Sequence, residues 1–113
     1  MPDFFAPDAF PGDPYGWLTN QAGHFVLGLV LFAVLAWMTG RRPALAWLAA
    51  LYAGWEAWQL TIVWDIADAV ADWLFVMLGG AFGHAASHGR VKRMGAALVA
   101  LVAGLAAGTW RRK

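Results

Sequence analysis

Residues 21–39 run without a single Asp, Glu, Lys or Arg. About 20 apolar residues cross a bilayer as a helix, with about 17 the lower limit, so this stretch is long enough to span one. Three more follow. Residues 44–64 carry Glu56 as their one acidic or basic residue. Residues 65–84 hold Asp65, Asp68 and Asp72 early and then turn apolar. Residues 94–110 form the shortest stretch and the marginal one. Gly40-Arg41-Arg42-Pro43 separates the first pair, and Pro43 suits the first turn of a helix because its missing N–H costs nothing there. The expected fold is all-α and membrane-integral, a bundle of four transmembrane helices over residues 18–113. A short Pro- and aromatic-rich arm, residues 1–17, precedes it.

Composition supports this reading. The chain is 61% hydrophobic and 13% charged, where a soluble domain carries roughly 25% charged residues. A water-soluble core built from 113 residues leaves too much surface uncovered to hide so much apolar side chain. Absence of cysteine excludes disulfides and thiolate metal sites. A net charge of +1 gives no footprint for nucleic acid, and the Lys and Arg residues fall in three short clusters, the pattern of a topology signal.

The first apolar stretch is expected to be retained rather than cleaved. Asp3, Asp8 and Asp13 precede it with no Lys or Arg, the reverse of a signal peptide's basic start. With the N-terminus outside, Arg41, Arg42, Arg90, Lys92 and Arg93 lie in the cytoplasm, and Arg111, Arg112 and Lys113 outside. The positive-inside rule favours that orientation. Trp17, Trp37, Trp47, Trp64 and Trp110 fall near the expected interfaces, where indoles partition. The arm contains a near-repeat, Pro2-Asp3-Phe4-Phe5-Ala6 and Pro7-Asp8-Ala9-Phe10-Pro11. It reads either as an aromatic segment resting on headgroups or as an arm that docks on another membrane protein subunit.

Polar residues gather at one level. Glu56 and Asp72 lie the same number of residues before and after Trp64, at the bend between the second and third stretches. In an antiparallel hairpin both carboxylates then sit about 12 Å below the bend. Gln59 and Asp68 form a shallower level, and His24 enters from the same side on the first helix. Glu56 and Gln59 share a face, as do Asp65, Asp68 and Asp72. Asp65 is expected to cap the third helix. A carboxylate inside a span costs several kcal/mol unless it pairs, protonates or faces protein or water, which makes Glu56 and Asp72 the candidates for a functional cluster. Gly79 and Gly83 continue the third helix's stripe, and Ala100, Gly104 and Gly108 form a second on the fourth. The two stripes are expected to pack on each other. Trp55, Trp58 and Trp73 are expected to fill the lipid-facing side.

The run from Asp72 through Gly79 to Gly83 resembles the D-x3-N-x2-G-x3-G signature of the VanZ-like membrane family, with Val76 at the usual Asn position. Glu56-Ala57-Trp58-Gln59 is similar to that family's E-x-x-Q motif, and Gly23-His24-Phe25 resembles its helix-opening His. The resemblance implies a small polytopic envelope protein of the bacterial inner membrane. The shared element that the resemblance implies, the cluster of His24, Glu56, Gln59, Asp68 and Asp72, then opens to the extracytoplasmic face to bind a lipid headgroup, a cation or a proton. No Ser or Cys nucleophile motif stands in the chain, so the reading is of a binding protein rather than an enzyme, with no cofactor and the bilayer as partner. An accessory subunit of a respiratory or photosynthetic complex and a phage holin are the alternative classes.

Overall fold

The computed structural model describes residues 10–113. The N-terminal near-repeat, with Asp3 and Asp8, lies almost wholly outside the described residues. Four helices follow one another with short turns: α1 (Pro14–Thr39), α2 (Arg41–Leu60), α3 (Ile66–Ser87) and α4 (Val91–Arg111).

Local chemistry sets the ends. Asp13 caps α1, its Oδ1 accepting from the Gly16 N–H at 2.8 Å, and Pro14 opens the first turn. The helix therefore begins one turn inside the stretch expected to be arm, and carries Trp17 with it. Asp65 caps α3 in the same way, with Oδ1 3.0 Å from the Asp68 N–H. Gly40, at φ 96°, alone separates α1 from α2, and Gly89, at φ 65°, sits in the α3–α4 turn. Both take the left-handed region where a side chain is disfavoured, which is why these reversals are so tight.

Three of the helices, α1, α3 and α4, are long and apolar enough to cross a membrane. The sequence had marked the fourth stretch as the marginal one, but α2 is the helix outside this set. Its 20 residues give sufficient length, and the shortfall is compositional. Arg41 and Arg42 open the helix, and Trp47, Tyr52, Trp55, Glu56, Trp58 and Gln59 follow.

The most extensive contact joins α1 to α3, and α2 and α4 flank that pair on either side without touching each other. The apolar core lies where α1, α2 and α3 meet, around Phe32, Ala44, Leu48, Tyr52 and Val76. The helix α4 buries Ala97 alone among its residues. Much of the exterior is apolar, with Val26, Val30, Val34, Leu51, Val99 and Val102 all exposed.

The glycines meet different partners from those expected. Gly79 faces α1, where a Cβ would collide with the Phe25 carbonyl, and Gly83 sits against Leu29 and Phe32. On α4, Gly104 receives the edge of the Phe75 ring and Gly108 the indole of Trp17. The two small stripes therefore do not pack on each other. Gly79 admits a backbone, Gly83 the side chains of Leu29 and Phe32, and Gly104 and Gly108 aromatic rings. Trp17, expected at an interface, is 5% exposed. It packs edge-on to Phe75 at 5.8 Å, and the Arg112 guanidinium lies over it at 4.4 Å. Trp73 is not wholly lipid-facing either, since its indole N–H donates to the Ala49 carbonyl at 3.1 Å and ties α3 to α2.

Candidate functional site

The close approach of α1 and α3 builds the site. Gly28 lies against the backbone of Val76, and Gly79 against that of Phe25 and Leu29. With no Cβ in the way, the two helices, which run in the same direction, come near enough for short side chains to bridge them. One to two turns toward their N-termini, Gln21 and His24 of α1 meet Asp72 of α3. Gln21, 0% exposed, donates from Nε2 to Asp72 Oδ1 at 2.8 Å. The Nε2 of His24 stands 3.4 Å from Asp72 Oδ2. Both oxygens of a carboxylate that is 6% exposed are thus engaged by α1.

The histidine's other nitrogen, Nδ1, is 2.8 Å from the Asn20 carbonyl, which can only accept, so this contact is a hydrogen bond in the tautomer that carries its hydrogen on Nδ1. Nε2 is then the nitrogen that faces Asp72.

Glu56 enters from α2. It is 5% exposed, and Tyr52 stands one turn earlier on the same helix, near enough to act on it. Tyr52 in turn meets the His24 ring edge-on at 6.5 Å. Asp72, Asp68 and His24 are all near enough to act electrostatically on Glu56. Among the described residues its Oε1 has no hydrogen-bond partner, and neither has the buried Oε1 of Gln21. A buried acceptor left unmet costs about 1–3 kcal/mol, so these two oxygens are the places where the cluster has room for a donor.

Gln59 and Asp68 lie further out. Gln59 is exposed and Asp68 half-buried in the first turn of α3. Together with Glu56, Trp58 and Asp65 they line a cleft of about 330 Å³ between the end of α2 and the start of α3. The cluster therefore has an inner part, His24, Gln21 and Asp72, and an outer part, Gln59 and Asp68, with Glu56 between them. Among the described residues, no three His, Asp or Glu side chains converge in a way that could hold a metal ion.

Two members were missed in the sequence. Gln21 was not among the candidates, although its i, i+3 spacing from His24 puts both on neighbouring positions of one face. Tyr52, also not among the candidates, stands four residues before Glu56, so the two share a face of α2. Compared with family models, curated proteins and solved structures, the chain gives no match.

Proposed function

We propose that the chain crosses the bacterial inner membrane four times, N-terminus outside, and that its polar cluster binds the primary ammonium group of an aminophospholipid headgroup from the extracytoplasmic side. The carrying observation is Glu56, buried, with Oε1 unmet among the described residues, at the inner end of a cleft whose other polar walls are Gln59, Asp65 and Asp68. An ammonium group brings three N–H donors and a positive charge, the complement of that lining. A membrane setting is supported by the three apolar helices and by the apolar exterior. As the fourth span, α2 would lie between lipid and the α1–α3 pair, its buried face formed by Ala44, Leu48, Tyr52 and Glu56. The resemblance of Glu56, Gln59, Asp72, Gly79 and Gly83 to the VanZ-like motif supports an envelope role.

The test compares two headgroups. Phosphatidylethanolamine carries N–H donors and phosphatidylcholine does not. In nanodiscs of phosphatidylcholine, adding phosphatidylethanolamine should raise the melting temperature of the parent chain and leave Glu56→Gln unmoved. An equal rise in both, or none in the parent, removes the reading.

A second reading, an accessory subunit of a larger complex, is favoured by α4, whose Leu98, Val99 and Val102 are exposed. Recovery of a stoichiometric large complex in mild detergent would decide for it.

A further inference from the structure

The opposite end of the bundle has the reverse chemistry. Every described carboxylate, Asp13, Glu56, Asp65, Asp68 and Asp72, lies at or near the start of α1, the end of α2 or the start of α3. The α1–α2 and α3–α4 turns carry Arg41, Arg42, Arg90, Lys92 and Arg93 instead. In sequence these residues read as a topology signal. In the fold they are more than that, because the two turns meet around one cavity.

That cavity, of about 570 Å³, is lined by Arg41, Arg42, Arg90, His84 and His88, with Gly40 and Pro43 completing it. Among the described residues, no Asp or Glu lines it. The arrangement is braced rather than loose. Arg41 Nη1 donates to the Ser87 carbonyl at 2.6 Å, tying the start of α2 to the end of α3. The His84 and His88 ring centroids lie 4.5 Å apart, with the rings tilted 40° to each other, and His88 Nδ1 lies 2.9 Å from the His84 carbonyl. Phe32 of α1 closes the other side of His84 at 5.9 Å. The two turns are short, and glycines at positive φ fix them.

Such a wall of like charge is unfavourable when it faces nothing, and it becomes favourable around an anion. Two guanidinium forks suit the planar, multi-oxygen face of a phosphoryl group, which they can grip bidentately. The starts of α2 and α4 lie at this end too, and neither N-cap residue, Gly40 or Arg90, makes a side-chain capping bond, so backbone N–H groups add to the positive field. Basic pockets between helices at a membrane face are where phosphate-bearing headgroups settle.

We infer that the cavity between the α1–α2 and α3–α4 turns is a phosphoryl-binding site, with Arg42 and Arg90 as its principal ligands and Arg41 as the brace that also presents a charge. This inference uses different residues from the ammonium site and stands independently of it. A phosphoryl group reaches the cavity as the headgroup of an anionic phospholipid or as free phosphate, and the two sources are separable.

The full chain, purified in neutral detergent, is titrated with phosphatidylglycerol, with phosphatidylcholine and with inorganic phosphate, and binding is read by the shift in melting temperature. Phosphatidylglycerol should stabilise the chain at concentrations where phosphatidylcholine does not. Saturation by inorganic phosphate as well, in competition with the lipid, identifies the phosphate alone as sufficient, while its failure assigns the site to the lipid. The double variant Arg42→Gln, Arg90→Gln leaves the Arg41–Ser87 bond in place and should weaken phosphatidylglycerol binding about 25-fold. The charge-matched control Arg111→Gln, Lys113→Gln, at the other end, should not. If the double variant fails to fold, Arg42→Lys with Arg90→Lys keeps the charge without the fork and should bind more weakly than the parent. Equal stabilisation by phosphatidylglycerol and phosphatidylcholine overturns the inference. So does a loss of binding in the control as large as in the double variant.

Discussion

Gly28 of α1 lies so close to Val76 of α3 that a methyl group on Gly28 would meet the Val76 carbonyl. This contact, repeated where Gly79 faces Phe25, sets the separation of the central helix pair and with it the reach of Gln21 and His24 to Asp72.

Gly28→Ala and Gly79→Ala should each lower stability by about 1–3 kcal/mol or more, because the obstacle is backbone and cannot turn aside. Gly23→Ala, Gly54→Ala and Gly95→Ala meet nothing nearby and should stabilise by about 0.5–1 kcal/mol through helix propensity. Thermal melts of the five variants in one detergent check both directions. Equal behaviour across the set would mean that α1 and α3 are not held by backbone contact.

Asp72 offers two acceptors to α1, so its variants should separate by what they retain. Asp72→Asn keeps an oxygen for Gln21 and should cost about 1 kcal/mol, whereas Asp72→Ala strands both Gln21 and His24 and should cost about 3 kcal/mol. Glu56→Gln should likewise be milder than Glu56→Ala, since the amide keeps a hydrogen-bonding group where the methyl has none. Chemical denaturation in mixed micelles gives the ranking. Alanine and amide variants of equal stability would show that these contacts carry nothing.

Trp17 fastens α4 to the bundle through Gly108, Phe75 and Arg112. Trp17→Ala should cost about 3–5 kcal/mol and expose the end of α4 to protease. Trp110→Ala, at an exposed position, should stay within about 0.5 kcal/mol. Limited proteolysis of both reads this directly, and similar digestion rates would contradict the role given to Trp17.

In the four-span reading both ends of the chain lie on one side. Reporter fusions before Met1 and after Lys113 should give the same localisation, outside the cytoplasm. Opposite results would mean that one helix, α2 by its composition, lies along the membrane rather than across it.

The four helices were readable in the sequence because charge and Gly-Pro punctuation divide the apolar stretches cleanly. Their ends were less so. Asp13 and Pro14 extend α1 backwards, and α2 stops at Leu60 because the chain turns at residues 61–65. For the polar cluster, helical rise alone gave Glu56 and Asp72 their shared level, and both are buried. Gln21 stayed hidden because an amide at the edge of an apolar stretch looks like an interfacial residue. The helix order in space was not legible either. Spacing tells which residues share a face, but not which neighbour that face meets, so the Gly79 stripe was matched to α4 when its partner is α1.

That the closest partner of α1 is α3, not the adjacent α2, also bears on how the chain is made. Gln21 and Asp72 are 51 residues apart. At roughly 5–20 residues per second, α1 waits about 3–10 s of synthesis before its carboxylate arrives. Throughout that interval, in the four-span reading, an amide and an imidazole stand ready in the membrane with their counterpart not yet made, and the first hairpin is an unfinished structure until the third helix follows it in.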